Sequence, residues 1–342
     1  MDSKVDVLFM LDSGIGNTIQ ALYAVESCIQ NGVDVQLYLG SVNRSFQKYL
    51  SDSYGKDIVL DSLEGVKCSH LLHSFLFEQD VNLPEHDHYY FLAGDNYFAT
   101  KHKSEAELYM DLVSGIFGFE KNNSSTLSKL IEDYSDQVKE LNVSDKYIFY
   151  PGGSAINPVR RWPHFKKLMD LVGGIDHAVI IGSNEDCDFS ASYVYPISLS
   201  WMPQSIKNRK VIFDYCKSIH LLKEHAHWNE LNSLPNSYIE KFGWAELVAI
   251  FRRCKTFIGN DGGLMHLAAA AGAKGFALFG PSSVSKNRAY NRDIKPIYKN
   301  YNCMPCQFGV GGVQMVKGFI NCPYQVKCLN DISAQDIVEQ LA

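Results

Sequence analysis

Short apolar runs alternate along the chain with segments of helical periodicity, and this alternation predicts strands and helices in turn. In the first half, the apolar run at residues 5–11 is followed by a helical pattern and then by a second apolar run at 33–40. A strand, a helix and another apolar strand in this order predict a parallel sheet. Residues 88–94 predict a further strand and residues 104–118 a further helix.

A second series of apolar runs begins after a polar, lysine- and glutamate-rich connector at residues 120–146. It predicts strands at 147–153, 177–183, 210–215, 255–261 and 275–280, and a helix at 244–254. The expected organisation is an α/β chain with domains at 1–145 and 146–300 and a tail at 301–342. Because open α/β sheets bind ligands beyond the carboxyl ends of their strands, we expect the site in a cleft between the two domains.

Composition narrows the functional class. The chain has 342 residues, of which 46% are hydrophobic and 20% charged, as in a globular protein. A net charge of −6 argues against a general nucleic-acid surface but allows a local basic pocket. The run at 5–11 is too short for a signal peptide, and no segment approaches the roughly 20 apolar residues of a membrane span. We therefore expect a cytoplasmic protein and leave peripheral membrane contact open.

Two glycines open a short apolar helix directly after a predicted strand of the second domain. Gly262 and Gly263 allow a tight turn and a close approach of the backbone to a ligand. The N–H groups at the start of that helix favour an anion, but one helix dipole contributes only about 0.3–1 kcal/mol. Tight binding of a diphosphate therefore needs basic side chains, which Lys286 and Arg288 can supply. The alternative is that the glycines serve only the turn and that His266 is an ordinary helix residue.

A similar turn, with Gly14 and Gly16, opens the first predicted helix. Ile19 stands where a dinucleotide-binding fingerprint has its third glycine, so the strict fingerprint is absent. The turn can still hold an acceptor or a reacting group. In the second domain, Arg160 and Arg161 precede a predicted helix, and their planar guanidinium groups suit phosphate oxygens. The alternative there is a solvated helix start beside a core tryptophan.

In this order, the motifs resemble glycosyltransferase family 9, the ADP-heptose:lipopolysaccharide heptosyltransferases and their relatives. The most specific part is Asp261-Gly262-Gly263 with His266, followed by a Phe-Gly-Pro turn. The resemblance covers nearly the whole chain and is weaker between about 45 and 145. It implies a GT-B architecture, in which two Rossmann-like domains face a central cleft. It also implies inverting, metal-independent transfer from a nucleotide-sugar, with ADP-heptose the first choice of donor.

The resemblance also implies residue roles. The first domain would hold the acceptor, through Gly14, Gly16 and Asn17. The second would hold the donor, through Gly153, Arg160, Arg161, Gly182, Glu246, Asp261, Gly262, Gly263, Leu264, His266 and Lys286. Asp261 would bind sugar hydroxyls and His266 would contact the donor. The final helix, at about 333–341, would cross back onto the first domain.

Asn17 departs from the family, whose members usually carry at this position an aspartate that is the presumed general base. An amide cannot accept a proton at neutral pH, and a positioned base contributes about 10²–10⁴-fold to the rate. Asp95, after a predicted strand, and Asp12, at the end of the first strand, are candidate replacements. Asp12 also suits a turn or a helix cap. Asn17 itself could orient the acceptor hydroxyl, or the protein could be a weakened enzyme or use a different acceptor.

Four of the nine cysteines, Cys303, Cys306, Cys322 and Cys328, lie close together in the tail. Their C-x₂-C-x₁₅-C-x₅-C spacing suits a structural zinc or iron site with four thiolate ligands. The tail resembles that of the autotransporter heptosyltransferases, a subset of the family expected to carry iron. The alternative is reduced or disulfide-bonded cysteines without metal. No cofactor is expected for catalysis.

The first functional interpretation is a glycosyltransferase that moves heptose to a bacterial surface glycan such as lipopolysaccharide core, O-antigen or capsule. One alternative is transfer to an autotransporter protein. Others are a nucleotide-sugar 2-epimerase or related hydrolase, and a binding protein that retains the donor site without the base. The expected partners are a nucleotide-sugar and a glycan or glycolipid acceptor, at the inner face of the membrane.

Overall fold

Two five-stranded parallel sheets form the framework of the chain. The computed structural model describes residues 4–11, 14–40, 44–74, 82–92, 102–121, 126–153, 160–183, 230–306, 315–316, 319–320, 324 and 326–341. Each sheet belongs to one half of the sequence, and helices cover its faces. The predicted division into two α/β halves is therefore confirmed at the level of the fold.

The first sheet has the strand order β3-β2-β1-β4-β5. Its strands are β1 Val5–Leu11, β2 Val35–Leu39, β3 Val59–Leu60, β4 Lys67–His73 and β5 Glu85–Phe91. The helices of this half are α1 Ile15–Gln30, α2 Arg44–Tyr54 and α3 Glu105–Phe117. The central strand β1 is almost wholly buried because it has a neighbour on each side and packed side chains on each face, which explains its unbroken apolar run.

The second sheet has the strand order β10-β9-β8-β6-β7. Its strands are β6 Tyr147–Tyr150, β7 Ala178–Ile180, β8 Thr256–Asn260, β9 Gly275–Leu278 and β10 Ile294–Ile297. The helices are α4 Asp136–Glu140, α5 Phe165–Leu171, α6 Trp244–Arg253, α7 Gly263–Ala271, α8 Val284–Asn287, α9 Lys327–Asn330 and α10 Ala334–Leu341. A short antiparallel pair, β11 Met315–Val316 and β12 Phe319–Ile320, lies in the tail.

Most of the predicted elements are present, and the predicted strand at 210–215 lies outside the described residues. The sequence interpretation missed α2, β3, β4, α8, β10, β11, β12 and α9. Strand β4 reads KCSHLLH, which lacks both a continuous apolar run and a regular alternation. It is a strand because it pairs on both sides, with β1 and with β5, and these partners are distant along the chain.

The connector after α3 binds both halves of the chain. The buried carboxylate of Glu26, on α1, accepts hydrogen bonds from the Tyr54 hydroxyl at 2.7 Å and from the backbone N–H groups of Ser128 and Lys129, both at 3.0 Å. The neighbouring Leu127 N–H donates to the Ala270 carbonyl of α7 at 2.9 Å. A charge with this many donors can be buried without a large desolvation cost. The connector therefore fastens α1 to α7.

The final helix packs on the second domain, which corrects the implication that it crosses back onto the first. Helix α10 lies against α5, and Ala334 and Ile337 are buried in the same apolar cluster as Trp162. The indole N–H of Trp162 donates to the Ile332 carbonyl at 2.8 Å. The buried side chains of α10 complete the core of the second sheet, and this fixes where the helix docks.

Gly275 begins β9 in a backbone conformation that only glycine adopts readily, with φ of +154°. A Cβ at this position would lie 1.8 Å from the carbonyl oxygen of Phe257 on the paired strand β8. Backbone atoms cannot move aside, so the close pairing of β8 with β9 depends on this glycine. Gly115, in α3, has no neighbouring atom within 4 Å of such a Cβ.

We therefore expect Gly275→Ala to lower the free energy of unfolding by at least about 3 kcal/mol, because it combines overlap with strain. Gly115→Ala should raise it by up to about 1 kcal/mol, since alanine is the better helix former. Urea unfolding followed by circular dichroism measures both. Equal stability of the two variants would contradict the assigned packing of β8 on β9.

Candidate functional site

The two glycine turns meet between the domains, at the carboxyl ends of the central strands β1 and β8. A Cβ on Gly16 would lie 3.0 Å from Cδ2 of His266 and 3.6 Å from Cα of Gly263. A Cβ on Gly263 would lie 3.2 Å from Cβ of Ile15. The first turns of α1 and α7 therefore contact each other through nearly bare backbone. This brings the acceptor-side and donor-side motifs predicted from the sequence into one place.

Asp261, almost fully buried at the end of β8, is the acidic centre of the donor-side turn. Its Oδ2 accepts from Arg160 Nη1 at 3.3 Å, from the Ser282 hydroxyl and from the Asn287 amide at 3.4 Å. The Arg160 side chain is 15% exposed, so it bridges the buried carboxylate and the edge of the cleft. The structure thus joins the arginine motif, the glycine turn and the turn before α8, which are far apart in sequence.

Asn260 was missed by the sequence interpretation although it precedes Asp261 directly. Its side-chain oxygen accepts from the Trp162 N–H at 3.0 Å, and its amide donates to the carbonyls of Pro151 at 2.7 Å and Gly152 at 2.9 Å. The side chain is fully buried. A satisfied buried amide of this kind orders the loops that it joins. Its only sequence signal is its place inside the glycine motif.

Arg161 is buried, and its Nη2 donates to the Gly153 carbonyl at 3.1 Å. Gly262 approaches the aromatic ring of Tyr150 so closely that a Cβ would lie 3.1 Å from Cε1. The donor-side turn is therefore packed closely at Gly262, and Arg161 is fixed to the loop that carries Gly153. A direct contact of each with a donor stays a prediction.

His266 is a neutral imidazole in this setting. Burial lowers its pKa to about 4; the Asp261 carboxylate opposes this shift, and the Arg160 guanidinium adds to it. The ring packs against Gly16 across the domain boundary. A neutral imidazole can donate or accept one hydrogen bond at physiological pH but brings no charge to a diphosphate.

Lys286 and Arg288 both face acidic residues of the first domain. Lys286 is fully buried; burial lowers its pKa and the nearby Glu105 carboxylate opposes that shift. Arg288 Nη2 donates to Glu107 Oε1 at 2.6 Å, an ion pair across the domain boundary. Glu105 and Glu107 begin α3 and were not singled out from the sequence, since nothing local predicts that they reach the second domain.

The remaining predicted residues fall into three groups. Gly14 and the half-buried Asn17 lie at the start of α1, beside the meeting point of the turns. Gly182 follows β7 and the buried Leu264 lies in the first turn of α7. Glu246 caps its own helix, accepting from the Gly243 N–H at 2.8 Å, and also contacts the Ser135 hydroxyl. Two of the candidate bases, Asp12 and Asp95, lie outside the described residues.

The tail cysteines are only partly described. Cys303 is half-buried, whereas Cys306 and Cys328 are buried; Cys322 lies outside the described residues. No group of three His, Cys, Asp or Glu side chains in the described part of the chain could hold a metal ion. Within the same part, no helix has the length and apolar character needed to cross a bilayer.

Residues 233–310 match the family model of glycosyltransferase family 9 (heptosyltransferase). The matched segment contains the donor-side glycine turn, Asp261, His266 and Lys286. Over this segment the chain is similar to glycosyltransferase family 9. Over 89 residues it is 34% identical to lipooligosaccharide heptosyltransferase 2 of Campylobacter jejuni serotype O:2. This match covers 25% of the chain and 24% of the relative, so the alignment spans about a quarter of the relative's length.

Solved structures resemble this chain over nearly its whole length. The Escherichia coli ADP-heptose lipopolysaccharide heptosyltransferase II has a TM-score of 0.55 at 15% identity, covering 98% of this chain and 97% of that one. The iron-containing dodecameric glycosyltransferase TibC from enterotoxigenic E. coli has a TM-score of 0.58 at 11% identity, covering 99% and 76%. At these identities the likeness shows the fold, and the predicted GT-B arrangement of two Rossmann-like domains is confirmed.

The depressed pKa of His266 makes stability depend on pH. The unfolded chain, with an imidazole pKa of about 6.5, binds this proton more readily than the folded protein, so the stability present above pH 6.5 is lost as the pH falls towards 4. Between pH 7 and pH 5 we expect His266 to account for a loss of about 2 kcal/mol in the free energy of unfolding. His266→Gln, whose side chain stays neutral, should lose that much less over the same interval. Urea unfolding at both pH values tests this, and identical pH dependence of the two proteins would contradict a neutral buried imidazole.

Proposed function

We propose that this protein is an inverting glycosyltransferase that moves a sugar from a nucleotide-sugar to a glycan or glycolipid of the bacterial surface. Heptose is the first choice of sugar and ADP the first choice of nucleotide. The reaction takes place in the cytoplasm, at the inner face of the membrane, and uses no metal ion for catalysis. The observation that carries the proposal is the joined site of Asp261, Arg160 and His266 at the start of α7. Asp261 and His266 lie inside the segment that matches family 9.

The charges of this site suit a diphosphate donor. The start of α7 offers backbone N–H groups, and Lys286 lies in α8, whose segment is hydrogen-bonded to Asp261 through Ser282 and Asn287. In the transfer step, the acceptor hydroxyl oxygen bonds to the anomeric carbon while the bond from that carbon to the diphosphate oxygen breaks. The departing electron pair stays on the nucleoside diphosphate, where fixed dipoles and cations stabilise it best.

Asp261 has a role in this scheme that does not require it to be a base. Its carboxylate accepts from Arg160, Ser282 and Asn287 and so holds the arginine and the turn before α8 in position. Its remaining acceptor capacity suits a sugar hydroxyl, as the family resemblance implies. The acceptor proton needs a different base, and Asp12 and Asp95 remain the predicted candidates because Asn17 cannot accept it.

Transfer to a protein acceptor is the second candidate function. It is favoured by the cysteine tail, whose spacing resembles that of autotransporter heptosyltransferases, and by the fold shared with TibC, which has also been solved in complex with ADP-D-beta-D-heptose. A binding protein without turnover is the third. It follows from Asn17, and nucleotide binding without sugar transfer to any acceptor would support it.

A structural zinc or iron ion at the tail is part of the proposal. The three described thiols do not form a ligand group by themselves, so the site requires Cys322. We expect elemental analysis of the purified protein to find zinc or iron, and Cys306→Ser to lose it. Cys254→Ser, at the end of α6, should keep it. Metal-free wild-type protein with full stability would refute the metal site and leave the transferase proposal intact.

Lys286→Met tests the donor site, because methionine keeps the length of the buried chain and removes its charge. Isothermal calorimetry with ADP, GDP, UDP and CDP should show tightest binding of ADP to the wild type. The variant should bind ADP at least about tenfold more weakly, the effect expected for one lost charged hydrogen bond. Lys295→Met, which removes an exposed lysine of β10, is the matched control and should bind like the wild type.

Three outcomes separate the alternatives. Preference for another nucleotide would retain the transferase and exclude ADP-heptose as donor. Equal weakening by both lysine variants would show that only the overall charge matters. Failure of the wild type to bind any of the four nucleotides would contradict the donor site itself.

A further inference from the structure

Asn260 ends the central strand β8 of the second sheet, next to strand β6. The paired register of these two parallel strands closes with Tyr150 opposite Gly259. Beyond that pair, the fully buried amide of Asn260 donates to the carbonyls of Pro151 at 2.7 Å and Gly152 at 2.9 Å. A side chain therefore continues the hydrogen bonding from β8 to the chain that follows β6.

The same side chain holds residues 160–162, which we call the arginine turn. The Asn260 side-chain oxygen accepts from the Trp162 backbone N–H at 3.0 Å, two residues after Arg160. Between them, Arg161 donates from Nη2 to the Gly153 carbonyl at 3.1 Å. The arginine turn is thus fastened both to the end of β8 and to the loop that follows β6.

Arg160 closes a ring of contacts with the residue that follows Asn260. Its Nη1 lies 3.3 Å from Oδ2 of the almost fully buried Asp261. The ring runs along the arginine turn to Trp162, across to Asn260, on to Asp261 and back to Arg160. Among the residues that the structure describes, the buried Nε of Arg160 has no hydrogen-bond partner. The contact with Asp261 therefore depends on where the turn places the guanidinium.

The chemistry of the three bonds calls for an amide at position 260. An asparagine side chain offers an acceptor oxygen together with two N–H donors. Aspartate would place a second acceptor against two carbonyls, and leucine would leave all three backbone groups without a partner. A buried amide whose partners are all present specifies one arrangement of the segments that it joins.

We propose that Asn260 is a positioning residue, which holds the arginine turn so that Arg160 meets Asp261 at the start of α7. The inference rests on the proposed function, in which Arg160 and Asp261 belong to the donor site, and it adds the residue that brings them together. Asn260 is fully buried and acts through its neighbours. Its loss frees the turn and separates the guanidinium from the carboxylate.

Urea unfolding of the full chain tests the coupling between Asn260 and Arg160. Arg160→Met removes the cation beside a buried carboxylate, so we expect it to raise the equilibrium constant of unfolding by at least about tenfold. In Asn260→Ser, whose short hydroxyl cannot reach all three partners, the ion pair is already lost. Adding Arg160→Met to that variant should raise the constant by less than about twofold. If the role of Asn260 were only structural, the two effects would multiply.

Asn291→Ser is the matched control. Asn291 is also a buried asparagine of the second domain, and it bonds backbone groups in the same way. It accepts from the Asp293 N–H at 2.8 Å and donates to the Ala269 carbonyl at 3.2 Å. Because Asn291 makes no contact with the arginine turn through these bonds, Arg160→Met should keep its full effect on unfolding in this background.

Calorimetric titration with ADP connects the positioning role to the donor site. Asn260→Ser should raise the dissociation constant of ADP by about three- to tenfold, and Asn291→Ser should leave it unchanged. The combination of Asn260→Ser with Arg160→Met should bind ADP no more weakly than Arg160→Met alone. A loss of stability reduces the amount of folded protein but not the affinity of the protein that remains folded, so this measurement separates positioning from stability.

Effects of Asn260→Ser and Arg160→Met on unfolding that multiply fully would overturn the positioning role. An equal loss of ADP affinity in Asn291→Ser would also overturn it. Should Asn260→Ser fold poorly, Asn260→Thr replaces it with the same expected results, since a β-branched side chain suits the end of a strand. Failure of the wild type to bind ADP is a different result: it contradicts the proposed function, while the unfolding measurements still decide whether Asn260 positions Arg160.

Discussion

The contact between the first turns of α1 and α7 is the constraint on which the rest of the structure depends. Gly16 and Gly263 lack side chains at the point where the two helices approach, and His266 fills the remaining space. Any larger side chain at Gly16 would push the imidazole and the two domains apart. The shared site, the ion pairs between domains and the path of the connector all follow from this close approach.

The site balances its charges in pairs. Arg160 pairs with Asp261 and Arg288 pairs with Glu107, while the Glu105 carboxylate opposes the lowering of the pKa of Lys286 by burial. The chain as a whole is acidic, yet these three cations lie where the two domains meet. The nearby carboxylate lowers the desolvation free energy of burying each cation at the domain boundary. A ligand that enters must offer these groups better partners than they already have.

Local patterns predicted the strands and the glycine turns because a buried parallel strand and a tight turn each leave a signal within a few residues. Distant contacts left no such signal. Asn260 ended a predicted strand and was given no role of its own, although its amide joins three chain segments. Glu105 looked like a solvated first-turn residue of a helix. Strand β4 was missed because its mixed composition has no strand pattern, and its pairing with β1 and β5 is what makes it a strand. The docking of α10 was missed because it depends on the core of the second sheet, against which its buried side chains pack.

The connector described above limits how the domains can move. Its residues Ser128 and Lys129 are bonded to Glu26 of the first domain, and Leu127 is bonded to the backbone of α7 in the second. A linker fastened at both ends cannot serve as a free hinge. Rotation of one domain against the other must break the Leu127 bond or bend the chain beyond it, so opening and closing of the cleft would be a cooperative step with an energy barrier rather than a freely diffusing motion.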